Sequence, residues 1–304
     1  MNSLLIAFFA YILDRYCGEF KKITHPVIYI GKFIKLFEKH FYKDSIFFGT
    51  LLITSTLTIA FVIGYLFEVI LSVLPFGLGL LGSVIIASMF FAHHMLYHSV
   101  KEVVTSDEPL EKIKYLVSRN TENMDSHEIN KACIETYTEN INDGVIAPLF
   151  YLLLFGLKGL IVYKAINTLD SMVGYKNERY KNFGKLSAIV DDIAGFIPSR
   201  ISALLIKMST KATYSWKTLS SYAKGHESPN SGWPISAAGL AYHLKLGGPT
   251  VYFGKLKDKP YFGDGKEDLT KEDVLRVLSL RDGIDKIILL FLGTFSILYI
   301  GVFL

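Results

Sequence analysis

The chain has 304 residues, of which 51% are apolar and 20% charged, with a formal net charge of +4. Mean hydropathy is +0.34, and soluble domains usually carry about a quarter charged residues, so the balance points to a membrane protein with sizeable polar loops. The cations are spread without a basic block, which excludes a nucleic-acid arm, and Cys17 and Cys133 are too far apart in sequence for a C-x-x-C zinc or disulfide framework. In chain order, MNSLLIAFFAYILDRY comes first. It lacks a positive n-region and a small-x-small site before Asp14 and Arg15, so it reads as a retained, membrane-associated helix. A spanning helix needs about 20 mostly apolar residues. Residues 45–74 and 75–96 meet that length and form a hairpin through Pro-Phe-Gly, and 285–304 make a third span. Residues 145–166 are apolar but interrupted by Pro148, Gly156, Lys158 and Gly159. They form one span or two half-length segments that enter and leave on the same side. Residues 194–208 are apolar, short, and split by Pro198 and Arg200. Residues 209–284 make a polar loop region.

The expected fold is therefore all-α: one polytopic integral membrane domain over residues 1–304, with interrupted or re-entrant helices and no sheet. SHEINKACIETYTENI reads as a helix capped by Ser126, and TKEDVLRVLSLRDGIDK as an amphipathic helix started by Thr270. GHESPNSGWPISAAG and LGGPTVYFGKLKDKPYFGDG read as loops. Two motifs mislead. GLGLLG, with Gly77, Gly79 and Gly82, sits inside an apolar span rather than after a strand, so close helix packing explains it better than a dinucleotide fingerprint. His93, His94 and His98 in HHMLYH have no acidic partner at zinc spacing, and interfacial histidines are the simpler reading.

The chemistry-bearing residues cluster around the interrupted segment. Glu135 and Glu139 share one helix face, and Asn140 and Asp143 follow just before it. After it come Asn167 and Asp170, three apart, then Lys176, Asn177, Glu178 and Arg179, then Asp191, Asp192 and Arg200. Hard oxygens beside cations are what a Mg²⁺–phosphate site requires. Carboxylates bordering a bilayer are costly unless paired or used. A solvated charged face with helix caps is the plainer alternative. The substrate does not follow from spacing.

Four blocks, ETYTENINDGVIAPLFY, YKAINTLDSMVGYKNERYKNFG, VDDIAGFIPSR and SPNSGWPISAAGLAYHLKLGGPTVYFG, resemble the signature blocks of the CbiB/CobD family, the adenosylcobinamide-phosphate synthases of cobalamin biosynthesis. THPVIYIGKFIKLFE resembles the family's His-Pro opening, and the likeness runs from about residue 4 onward. The chain departs from the family pattern at SRNT (118–121), at Ile189 and at Gly195. The resemblance implies ATP- and Mg²⁺-dependent amide ligation of aminopropanol or its phosphate to a propionate carboxyl of adenosylcobyric acid. On it, Glu139, Asp143, Asn167 and Asp170 are expected to hold Mg²⁺ and ATP phosphates. Lys176, Arg179 and Arg200, beside Asn177, would neutralise the phosphoryl group. Glu178, Asp191 or Asp192 would take the amine proton. Asn230, Gly232 and Trp233 would bind phosphate or cover the corrin face, and His25 would lie near the corrinoid or start a helix before Pro26. The expected setting is a multi-pass protein of the cell membrane with a cytoplasmic site, as a homo-oligomer or with other enzymes of the pathway, and without nucleic acid. A Mg²⁺-dependent membrane prenyltransferase and a non-catalytic corrinoid transporter or scaffold are the rival readings. NTLD and VDDI imitate the prenyltransferase pattern.

Overall fold

The structure, a computed structural model, describes residues 3–20, 23–117, 121–122, 124–252, 255–257 and 259–303. The SRNT departure, apart from Thr121, lies outside the described residues. The chain divides into two compact units. The first comprises Met1–His94, Asp143–Gly195 and Leu292–Leu304, and the second Met95–Asn142 and Phe196–Phe291.

The helices run in the order α1 (Ser3–Cys17), α2 (Pro26–Phe41), α3 (Ile46–Ser72), α4 (Phe76–Ser88), α5 (His93–Thr105), α6 (Pro109–Ile113) and α7 (Ser126–Ile141). A π turn (Asn142–Ile146) leads into α8 (Ala147–Val173), followed by α9 (Lys185–Thr210), α10 (Trp216–Ala223) and α11 (Gly232–Tyr242). After four short strands come α12 (Lys271–Leu278) and α13 (Leu280–Phe303). Among the described residues, four helical stretches are long and apolar enough to cross a membrane: Ile46–Ser72, Phe76–Thr105, Ser126–Val173 and Lys271–Gly301. The protein is a multi-pass helical membrane protein. Phe61, Leu66 and Ile70 stay exposed along α3, as a lipid-facing surface requires.

In the first unit, Ile34 and Phe37 of α2 pack with Leu52 and Ile53 of α3, Leu169 and Val173 of α8, and Phe183. The interrupted segment is a hairpin. Gly156 takes φ 71° and ψ −158° inside α8, a conformation that L side chains rarely adopt. Along one continuous helix, Asp143 and Asn167 would stand roughly 36 Å apart. Here Asn167 Nδ2 lies 3.5 Å from Asp143 Oδ2, and the rings of Tyr151 and Tyr163 stack with centroids 4.9 Å apart. Residues 145–166 thus form two half-length limbs folded back on each other, the geometry that the re-entrant alternative requires.

Several local expectations need correction. Pro198 does not split 194–208, which lies within the 26-residue α9. The proline withholds the N–H that would bond the Ala194 carbonyl, and the Tyr151 hydroxyl donates to that carbonyl instead at 3.1 Å. Pro148 likewise withholds an N–H from the Gly144 carbonyl, which accepts from Ala92 N–H at 2.9 Å. Ala92 itself lies in a break, absent from the expectation, that divides residues 75–96 between α4 and α5. The cap of α7 is Asp125, in a capping box with Glu128, rather than Ser126. A Cβ on Gly82 of the GLGLLG run would meet Leu71, but Gly77 faces open space, so close packing explains only part of that run.

In the second unit, both stretches read as loops carry regular structure: α11 begins at Gly232 inside the first, and the second contains two antiparallel two-stranded sheets. β1 (Leu246–Gly247) pairs with β4 (Tyr261–Phe262), and β2 (Thr250–Tyr252) with β3 (Lys255–Lys257). Strands of two or three residues are too short to carry an alternation signal.

Candidate functional site

In the first unit the hairpin gathers the polar residues. The π turn presents Asp143, the second limb of α8 presents Asn167 and Asp170, and the start of α9 presents Asp191 and Asp192. A π turn inserts an extra residue into the helical ladder and is a frequent feature of functional sites. Lys164, one turn before Asn167, donates from Nζ to the Asp143 carbonyl at 3.3 Å. Burial, and then the charges of Asp143, Asp170 and Asp192, raise the Asp191 carboxyl above the ordinary carboxylate range, while a hydrogen bond from Asn167 works in the other direction. Asp192 is also raised, by burial, and the nearby Lys176 opposes that rise. Asp143, Asn167, Asp170, Asp191, Asp192 and Lys176 therefore belong to one electrostatic neighbourhood.

The other expected residues of this unit have different surroundings. Arg179 reaches Glu38 of α2 through Nε at 3.0 Å and Nη2 at 2.7 Å, and lies 4.6 Å over the Tyr42 ring. Tyr180 donates its hydroxyl to the same carboxylate at 2.9 Å, and Tyr42 donates its own to the Arg179 carbonyl at 2.8 Å. Arg179 thus ties the loop after α8 to the end of α2. The Asn177 side chain accepts the Tyr180 N–H at 3.0 Å and shapes that turn, while Glu178 is exposed. His25 caps α2, its Nδ1 accepting from Val27 N–H at 3.3 Å ahead of Pro26.

The second unit holds the rest. Glu139 accepts from the Ser231 hydroxyl at 2.7 Å, and Glu135 from Gly247 N–H at 2.6 Å. Arg200 donates to Asn230 Oδ1 at 3.1 Å and to Ser199 Oγ at 3.0 Å. Its guanidinium lies 3.7 Å over the Phe196 ring and 4.5 Å over that of Trp233. Trp233 is buried, 5.1 Å from Trp216. A Cβ on Gly232 would clash with the Ala223 carbonyl, so the start of α11 sits close against the end of α10.

Sequence reasoning passed over Lys164, Ser231 and Glu38. Lys164 had a signal: a cation in an apolar run, three residues before Asn167. Ser231 and Glu38 had none, because their partners lie 92 and 141 residues away.

Among the described residues, no three His, Cys, Asp or Glu side chains are grouped closely enough to hold a metal ion by themselves. The donor chemistry of the first unit nevertheless fits Mg²⁺. That ion usually keeps waters and binds one or two carboxylates plus substrate phosphates rather than an all-protein cage. Asp143 beside Asn167, with neighbouring carboxylates that resist joint ionisation, leaves a deficit of positive charge that a divalent cation would fill.

A family profile described as CobD/Cbib protein matches residues 7–281. A cobalamin biosynthesis protein CobD of Halalkalibacterium halodurans is 36% identical over 286 residues, covering 87% of this chain and 88% of that protein. A probable cobalamin biosynthesis protein CobD of Methanococcus aeolicus is 35% identical over 326 residues, covering 99% and 98%. A third, from Pyrococcus furiosus and also described as a probable cobalamin biosynthesis protein CobD, is 36% identical over 245 residues, covering 80% and 85%. No solved structure matches the chain.

Proposed function

The chain belongs to the CobD/CbiB family, and from that premise we propose that it is a membrane enzyme of cobalamin biosynthesis. Its reaction is the ATP-dependent joining of aminopropanol, or its phosphate, to a propionate carboxyl of adenosylcobyric acid. The observation that carries this reading is the hairpin, which sets Asp143 against Asn167 beside Asp170, Asp191 and Asp192. Phosphate transfer needs oxygen ligands and cations held in place, and this neighbourhood supplies both.

A carboxylate is a poor acyl donor because its leaving group is oxide. Transfer of the γ-phosphoryl group of ATP to the carboxylate gives an acyl phosphate and ADP. The amine then attacks the acyl carbon. A C–N bond forms, the C–O bond to phosphate breaks, and inorganic phosphate departs. Mg²⁺, when bound, would neutralise phosphate oxygens, with Asp143, Asn167 and Asp170 to hold it. Lys176 offers a cation to the transferring group. Asp191 is the best placed of the carboxylates to accept the amine proton, because its raised basicity suits a general base working near neutral pH. In the second unit, Arg200, fixed by Asn230 and two aromatic rings, offers a cation to a phosphate or a propionate. Glu139 is assigned to fixing the Ser231 loop rather than to the metal. ATP is a cytoplasmic substrate, so the neighbourhood faces the cytoplasm in this reading. The family match favours it over a prenyltransferase or a transporter.

The test supplies adenosylcobyric acid, aminopropanol phosphate, ATP and Mg²⁺ to the purified protein and looks for the amide by mass spectrometry. Absence of the amide from folded protein, beside an active relative, removes the proposal. Asp170→Asn is expected to lower turnover by about 10²-fold or more, the scale of losing an electrostatic contact to a transition state. Near wild-type turnover in a folded Asp170→Asn variant would remove Asp170 from the metal set.

A further inference from the structure

The tip of the hairpin is held by a group that the proposed reaction does not use. Reversal at Gly156 starts a new helical limb whose first N–H groups have no acceptor within the helix. Glu68 of α3 supplies one. Its Oε1 accepts the Lys158 N–H at 3.3 Å, and its Oε2 pairs with Lys158 Nζ at 3.1 Å. A carboxylate at the start of a helical limb also opposes the limb's positive dipole end. The fit around it is close. A Cβ on Gly156 would clash with Glu68 Oε1, and a Cβ on Gly64, one turn earlier on α3, would clash with the Lys158 backbone. The pair is half-buried at the wall of a cavity of about 540 Å³ that Ser3, Ser72 and Ser83 also line.

We propose that Glu68 is a positioning residue whose carboxylate fixes the register of the hairpin, and through it the meeting of Asp143 with Asn167; the proposal rests on the reading of that site given above. Both site residues are reached from the tip by rigid helix, 13 residues back to Asp143 and 11 forward to Asn167. A slip of one residue in the second limb would move Asn167 by about 1.5 Å along its axis and turn it by roughly 100°. That is enough to carry its amide away from Asp143. Simple stabilisation does not explain the pair. An ion pair removed from water roughly breaks even against apolar residues of similar size, and its best-attested use is to specify register. Intramembrane charge is costly in addition, so the apolar tip would be the simpler construction if holding the hairpin together were the only task.

Two readouts are taken on Glu68→Leu and Glu68→Gln. One is turnover in the amide assay. The other is hairpin register. Tyr151 and Tyr163 are both changed to Cys in a Cys17→Ser, Cys133→Ser background, and a bifunctional thiol reagent fluoresces only when it bridges the two limbs. Glu68→Leu is expected to lose the bridging signal and about 10²-fold in turnover, the cost of misplacing a reacting group by about 1 Å. Glu68→Gln keeps an acceptor for the Lys158 N–H and is expected to recover most of both. Loss of turnover with the signal intact, loss of the signal with turnover intact, or neither loss overturns the proposal. So does a Gln variant no better than Leu. If Glu68→Leu fails to fold, Glu68→Ala replaces it under the same criteria. If the wild type forms no amide, the functional reading fails, and a bridging signal that survives Glu68→Leu independently removes the latch.

Discussion

Asp191 is the residue where burial and charge most visibly shape the chemistry. Its carboxyl is raised by burial first and by three neighbouring carboxylates second, so it holds its proton to higher pH than an ordinary aspartate. As a proton acceptor it must be ionised. Turnover is therefore expected to rise with pH through the neutral range, along an acid limb set by this group. A divalent cation among Asp143, Asn167 and Asp170 would replace repulsion with attraction and lower the proton affinity of Asp191. Higher Mg²⁺ should then move the acid limb to lower pH, and Asp191→Asn should remove the limb together with most of the turnover. A limb that stays in place across a Mg²⁺ series, or persists in Asp191→Asn, assigns it to another group. Arg179 teaches the opposite lesson. Its position beside Lys176 and Glu178 suggested a phosphate clamp, but its side chain is committed to Glu38. That partner lies 141 residues earlier, and no spacing rule reaches it.

The hairpin is the element on which the site depends, and glycine is its working residue. At φ 71° and ψ −158°, any L side chain at Gly156 is strained by about 1–3 kcal/mol before its clash with Glu68 is counted. Gly156→Ala is expected to lower the thermal midpoint of the detergent-solubilised protein by several degrees and to reduce turnover. Gly77→Ala, at a helix position with open space around it, should leave both near wild type or raise the midpoint slightly. Equal midpoints for the two variants would mean that the reversal at Gly156 accepts a side chain without strain. The prolines were legible as interruptions, but their consequences were not. Pro148 and Pro198 each leave a carbonyl that a distant donor satisfies, Ala92 N–H in one case and the Tyr151 hydroxyl in the other. A helix containing proline breaks or persists according to whether such a donor is in reach, and α9 persists through Pro198.

For the whole molecule, the hairpin changes the count of membrane crossings. The stretch Ser126–Val173 is long and apolar enough to cross, but the chain reverses at Gly156, so residues 145–166 are expected to return to the face they enter from. Polar residues on both sides of the hairpin should then share one membrane face. Single cysteines at Ser126 and Lys181, in the Cys17→Ser, Cys133→Ser background, are expected to react with a membrane-impermeant thiol reagent from the same side. Labelling from opposite sides would mean that residues 145–166 span the bilayer, and would separate Asp143 from Asn167. Outward exposure of α3 and α13 follows from the same apolar composition that marked them as spans: Leu290, Ile297 and Leu298 of α13 and Phe61 of α3 are all exposed.

Apolar length and composition by themselves determined the membrane class, the all-helical architecture and the three outer spans, because each is a sum over local residues. Asn167 with Asp170, and Glu135 with Glu139, could also be paired from sequence, since three- and four-residue steps fix a shared helix face. The tertiary structure decided everything that depends on reversal and on distant partners. It turned residues 145–166 back at Gly156, set Asp143 beside Asn167 and Lys164, and committed Arg179 to Glu38 and Glu139 to Ser231. The physical reason is that a glycine permits a reversal without requiring one. What the turn exposes must find partners in the tertiary structure, as the Lys158 N–H finds Glu68, 90 residues away.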